Sequence, residues 1–190
     1  TSHGNCLIIG VDELPEARLT AKATNLNSLV QLEKDEEIVA CFDEVKDDTL
    51  VFFTALGSAK RTEGKEFDLR TKKTAAIALK DDDRVIAVEK QDETAGTVIM
   101  VSKGGMSIRF ATDTVPVMGK GAGGVKCMKL DEGDRVIFAA QIADEGEILT
   151  ISDRGYAKRS LVFDYEIQGR NGKGLKTFDF KKNGSNGTAI

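Results

Sequence analysis

Hydrophobic residues in this chain come in short runs rich in β-branched and aromatic side chains, separated by glycine and by acidic clusters. No segment keeps a helical period, although residues 21–31 suit a short turn of helix. Three of the runs read alike. They are Val51-Phe52-Phe53-Thr54-Ala55-Leu56-Gly57-Ser58-Ala59-Lys60-Arg61, Val98-Ile99-Met100-Val101-Ser102-Lys103-Gly104-Gly105-Met106-Ser107-Ile108-Arg109 and Ile148-Leu149-Thr150-Ile151-Ser152-Asp153-Arg154-Gly155-Tyr156-Ala157-Lys158-Arg159. Each is a β-rich run, a turn with glycine and a second run bearing a basic residue, which predicts a hairpin. Gly57, Gly105 and Gly155 lie 48 and 50 residues apart, and Arg61, Arg109 and Arg159 keep the same two intervals. Glycine at that point suits a turn that needs positive φ.

A second landmark recurs with a similar period. Leu79-Lys80-Asp81-Asp82-Asp83-Arg84-Val85-Ile86-Ala87 matches Leu130-Asp131-Glu132-Gly133-Asp134-Arg135-Val136-Ile137-Phe138, and Leu32-Glu33-Lys34-Asp35-Glu36-Glu37-Ile38-Val39-Ala40 is a third copy. Each is an acidic turn followed by a further predicted strand. Between the landmarks run linkers rich in small or basic residues, at 70–76, 119–125 and 169–174. Units of 47 to 50 residues built of several short strands point to a propeller-like array. The prediction is one all-β domain over 1–190, with four blade repeats at about 5–46, 47–92, 93–143 and 144–190. The first is degenerate, with no Lys-Arg pair after Gly10, and the last lacks its closing acidic-turn strand.

Composition narrows the chemistry. No apolar run approaches the ~18 residues of a membrane span. Thr1-Ser2-His3-Gly4-Asn5 lacks the features of a signal peptide and reads as a boundary within a longer protein. Cys6, Cys41 and Cys127 form neither a disulfide framework nor a metal-ligand pattern and suit buried or half-buried positions in a reducing cytoplasm. With His3 the only histidine and no nucleophile motif in view, neither a catalytic constellation nor a metal site is expected.

The net charge of −4 speaks against a polyanionic partner, but its distribution speaks for one. Residues 1–50 carry 11 acidic and 4 basic side chains, whereas residues 51–190 carry 20 acidic and 23 basic ones. From Arg154 to Ile190 there are 8 bases against 3 acids. A basic edge is therefore expected beneath an acidic average, and the acidic first quarter is placed to cover part of it.

These stretches resemble the C-terminal β-pinwheel domain of the type IIA topoisomerase A subunits, those of bacterial DNA gyrase and topoisomerase IV. The resemblance covers nearly all of 45–182. It is most specific at Phe53-Thr54 to Gly57 with Lys60-Arg61, at 153–159 and at 165–177. Within the last, Gln168-Gly169-Arg170-Asn171-Gly172-Lys173-Gly174 is similar to the gyrase-A box, Gln-Arg-Arg-Gly-Gly-Lys-Gly, with Gly169 in place of Arg and Asn171 in place of Gly. The linkers at 118–124 and 70–76 are poorer copies. The resemblance implies a disc of blades with exchanged strands, whose basic perimeter bends duplex DNA. Its implied partners are the ATPase B subunit of the parent complex together with the remainder of the A chain, where the cleavage tyrosine, ATP and Mg would lie outside this domain. Degenerate boxes lean towards topoisomerase IV, and the wording of 156–177 leans towards gyrase.

Sequence-independent DNA binding needs spaced cations on one surface. Lys60, Arg61, Arg109, Lys158 and Arg159 are the first candidates because they recur in phase; Arg170 and Lys173 join them from the box-like linker, where backbone N–H groups also face outward. Lys72, Lys73, Lys103, Lys120 and Lys126 form a second rank. The acidic turns do not fit a calcium loop and are expected as solvated edges. The rival reading is a propeller-like scaffold for protein partners that does not bind DNA.

Overall fold

A computed structural model describes residues 1–80 and 82–190; Asp81 of the second acidic turn lies outside them. The described residues form twelve strands and five short 3₁₀ turns, with no α-helix among them. The strands are β1 (Asn5–Leu7), β2 (Thr49–Thr54), β3 (Ser58–Glu63), β4 (Lys73–Ala75), β5 (Val85–Lys90) and β6 (Thr97–Ser102). They continue as β7 (Met106–Ala111), β8 (Val125–Lys126), β9 (Val136–Ile142), β10 (Glu147–Ile151), β11 (Ala157–Leu161) and β12 (Leu175–Lys176). The helical turn expected within 21–31 is the 3₁₀ turn Leu26–Ser28.

The predicted hairpins are β2–β3, β6–β7 and β10–β11, all antiparallel. Two sheets are complete, with strand orders β5-β2-β3-β8 and β9-β6-β7-β12. In each, three strands come from one repeat and the fourth from the next: β8 pairs with β3, and β12 with β7. Likewise β4 is lent to β1 of the first blade. The blades are therefore strand-exchanged. The acidic-turn strands β5 and β9 lie against each other across neighbouring blades, which marks the centre of the array. The lent strands sit at the opposite edge, so the linkers that lead into them lie on the outside.

Glycine sets the latch between repeats. Gly4, Gly57 and Gly105 have φ of 77°, 79° and 82°. The carbonyl of each accepts two backbone N–H groups of the following repeat, from Ala76 and Ile77, from Cys127 and Met128, and from Thr177 and Phe178. This corrects the phase of the first repeat: its turn glycine is Gly4, not Gly10. Val85, Val136 and Ala189 donate to the carbonyls of Ser2, Ala55 and Lys103 in the same order. The closing segment of the fourth unit is thus present as far as Ala189, which bridges Ser152.

The core lies between blades. Val51, Phe53 and Ala59 of one face meet Val98, Met100, Ile108 and Phe110 of the next. Ile99 and Val101, on the far face of the third blade, pack with Tyr165, Ile142 and Ile148. The acidic turns are not merely solvated edges. Asp83 accepts the N–H of Leu56, and Asp134 that of Gly104, so each carboxylate caps the hairpin turn of its own blade. Arg135 and Arg84 then donate to the carbonyls of Asp82 and Asp35, tying the turns of successive repeats together.

Candidate nucleic-acid interface

Three of the expected rim cations are interior fastenings. The Lys60 side chain is fully buried, and its ammonium donates to the carbonyls of Gly119 and Lys120 at 3.0 and 2.9 Å. It lies 5.3 Å from the centre of the Phe52 ring, and burial pushes its pKa down to about 8. Arg61 donates to the carbonyls of Val115 and Asp113 and to the Gln91 side chain. Arg109, only 5% exposed, donates to Thr97 Oγ1 and to the carbonyls of Val162 and Tyr165, and pairs with Asp144. Arg61 and Arg109 therefore clamp the 3₁₀ turn that follows the next blade's hairpin. The physical reason is that β3 and β7 are internal strands of sheets covered on both faces. Their recurrence in phase reports the repeat, and the interior holds the charge by wrapping it in carbonyls.

On β11 the same positions have another fate. Lys158 and Arg159 are exposed, and Arg159 pairs with Glu147 at 3.1 Å. Lys103 is exposed at the tip of the β6–β7 hairpin.

The cations that recur at the outer edge belong to the linkers and the lent strands. Register on the receiving strands aligns Lys73, Gly124 and Gly174, each one residue before the pairing that matches Thr74, Val125 and Leu175. By that alignment Lys120 corresponds to Arg170, Lys72 to Lys173 and Lys126 to Lys176. Lys126 and Lys176 are both exposed on the outermost strands of the two complete sheets. Lys176 was not among the expected residues, although its spacing of 50 from Lys126 was there to find.

The box-like linker is a loop with both ends gripped by β7. Gln168 N–H donates to the Arg109 carbonyl at one end. At the other, Gly174 (φ 77°) crosses so tightly that a Cβ there would stand 1.9 Å from the Ser107 oxygen. Asn171 takes the left-handed conformation, φ 66°, that Gly favours in its place, and its N–H donates to the Cys127 carbonyl. Arg170 donates to the Lys126 carbonyl at 3.2 Å, and Lys129 N–H to the Gly172 carbonyl at 2.8 Å. Ala78 N–H reaches the Ala122 carbonyl in the corresponding way. Successive linkers thus touch, forming a belt that carries Lys120, Lys126, Arg170, Lys173 and Lys176. Gly169, where a Cβ would meet nothing within 4 Å, leaves backbone open near its cations.

Some of these cations have partners. Lys173 pairs with Asp131 and Lys176 with Asp179 at 2.8 Å, and Lys120 donates to the Glu66 carbonyl. In the first linker, Lys72 pairs with Glu13, and Lys73 lies 2.9 Å from Glu33 and 3.7 Å from Glu36. Burial alone would raise the Glu36 pKa. Hydrogen bonds from Asn5, the Glu33 N–H and Thr1, with the charge of Lys73, outweigh that and hold it at about 2. His3, Glu33 and Glu36 offer ligand atoms within 4.8 Å of one another, but Lys73 already supplies the cation there. Of the cysteines, Cys127 is buried, Cys6 half-buried and Cys41 exposed, so the last departs from expectation.

Blades that lend their outer strand to the preceding blade, around a centre of paired inner strands, define a β-propeller of the pinwheel kind. The family described as DNA gyrase C-terminal domain, beta-propeller, matches residues 1–42, 48–92, 96–143 and 146–186. The chain belongs to that family. It is 34% identical over 197 residues to the A subunit of DNA gyrase from Haloquadratum walsbyi, covering 98% of this chain and 23% of that protein. To the A subunit of DNA gyrase from Escherichia coli K12 it is 36% identical over 181 residues, covering 92% of this chain and 20% of that protein. The chain therefore spans under a quarter of these relatives. The crystal structure of the C-terminal domain of DNA topoisomerase IV superimposes with a TM-score of 0.91 at 27% identity, over all of this chain and 59% of that one.

Proposed function

We propose that this domain binds duplex DNA without reading its sequence and bends it along the linker belt. It would serve as the accessory domain of the gyrase or topoisomerase IV A subunit, in an enzyme that controls supercoiling. The observation that carries this reading is the pairing in phase of Lys120 with Arg170 and of Lys126 with Lys176, on touching linkers at the outer edge. Phosphates along a curved duplex meet such a belt repeatedly, and each contact releases condensed counterions. Bending ~20–30 base pairs through 40–90° costs on the order of 1–6 kcal/mol, which several contacts together offset. Ion pairs with exposed Asp131 and Asp179 are weak enough to exchange for phosphate.

Chemistry on the DNA backbone, with its tyrosine, ATP and Mg, belongs in this reading to the B subunit of the parent enzyme together with the remainder of the A chain. The setting is the cytoplasmic nucleoid; among the described residues no helix is long and apolar enough to cross a membrane. The test is a titration, at several salt concentrations, of a duplex long enough to bend. Four to six phosphate contacts give a log–log slope of roughly −4 to −5. Replacing Lys126 and Lys176 by alanine lowers its magnitude by about 2. A chain that leaves DNA free at low salt is instead the scaffold of the rival reading.

A further inference from the structure

We infer that the chain's own carboxylates keep the first linker out of the DNA track, so that the track begins at the second linker. The inference rests on the DNA-binding reading above and adds where the duplex lies.

All three linkers occupy equivalent places at the outer edge, because all three lead into lent strands. By cation count the first is the most basic of the three, with Arg70, Lys72 and Lys73. Its surroundings differ. Lys72 is taken by Glu13, and Lys73 faces both Glu33 and Glu36. The Glu36 carboxylate is completely buried and is fixed by the Thr1 hydroxyl, the Asn5 amide and the Glu33 N–H. It is an anion built into the first blade, one that cannot swing aside when a phosphate arrives. Asp68, just before the first linker, is in turn joined to Lys46 at 2.8 Å.

In the second and third linkers three cationic side chains are held by neutral groups. Lys120 donates to the Glu66 carbonyl, Lys126 to the Leu56 carbonyl and Arg170 to the Lys126 carbonyl, so each keeps its full charge for a polyanion. Of the carboxylates that do appear there, Glu66 accepts the Lys120 backbone N–H at 3.5 Å, and Asp131 and Asp179, which pair with lysine side chains, are 70% and 78% exposed. A phosphate approaching the second or third linker meets Lys120, Lys126 and Arg170 bonded only to carbonyls, while Lys173 and Lys176 exchange exposed partners for it. One approaching the first meets, beside exposed Arg70, two lysines already neutralised within a few ångströms, closer than the screening length of ~8–10 Å that salt provides. Such a contact releases few counterions and adds little to affinity.

The experiment compares salt slopes of duplex binding for the full chain and four variants, with Glu36 left intact because it is structural. Lys72→Ala with Lys73→Ala is expected to leave affinity and slope unchanged. Glu13→Gln with Glu33→Gln is expected to free Lys72 while Glu36 still faces Lys73, steepening the slope by about 1 and tightening binding about tenfold near 0.1 M salt. Adding the two lysine substitutions to that variant should cancel the gain. A loss in the lysine variant as large as that from Lys126→Ala with Lys176→Ala overturns the inference, as does a glutamine variant that binds like the parent. Failure of the parent chain to bind at all sinks the DNA reading itself, which separates the two outcomes.

Discussion

The third and fourth blades begin with hairpins of nearly the same pattern and end in different states. Ile99 and Val101 on β6 are 0% and 5% exposed, whereas Leu149 and Ile151, at the same positions of β10, are 63% and 38% exposed. Arg109 is a buried clamp, and its counterpart Arg159 lies in solvent with one exposed partner. The difference comes from the neighbour. The third blade has a successor that covers its face and lends it a strand, and the fourth has none in this chain. A residue's role in this architecture is therefore set by the repeat that follows it.

The largest expected effect follows from that contrast. Arg109→Ala strips the donors from the carbonyls of Val162, Tyr165 and Ala143, and should cost about 3–5 kcal/mol in denaturant unfolding. Arg159→Ala should leave the unfolding midpoint where it is. If the two behave alike, the clamp is not what binds blade to blade.

Glycine gives a second pair. Gly174→Ala forces both an unfavourable φ and a clash with Ser107, and should destabilise by about 3 kcal/mol. Gly155→Ala meets nothing within 4 Å and suffers only from its φ of 79°, about 1 kcal/mol. Equal losses would show that the crossing of the lent strand carries no tight fit.

A smaller effect separates Lys60 from Lys158. The Lys60 ammonium loses its proton near pH 8 in the folded chain and near 10.5 when unfolded. Between those values the unfolded chain binds more protons, so Lys60 makes stability rise with pH, by on the order of 2 kcal/mol at most. The rise should vanish in Lys60→Met and persist in Lys158→Met. Thermal melts at pH 8 and pH 10 suffice to compare them.

The repeat was legible because it rests on local backbone demands. A hairpin glycine at positive φ and an acidic cap before a β-branched run leave marks wherever they occur. The phase of the first blade is masked because Gly10 follows two isoleucines and so imitates a turn after a strand, whereas Gly4 has little chain before it. Lys60, Arg61 and Arg109 imitate rim cations for a different reason. Interior clamps and surface contacts recur with the same period, and periodicity alone does not separate them. What separates them is strand exchange, which makes β3 and β7 internal by pairing them with residues some 68 positions further on. The pairing of Glu13 and Glu33 with the first linker was visible only as a charge imbalance, since partners 59 and 40 residues apart leave no local pattern.

The exchanged strands also govern how such an array can be lengthened or trimmed. Cutting out one repeat between its own boundaries would remove the outer strand of the blade before it and strand the blade after it beside an unfamiliar edge. Whole units can be gained or lost cleanly only if the break falls so that every lender and borrower leave together. Interlocking of this kind makes each blade a hostage to its successor, and lets a pull on one be shared by the next.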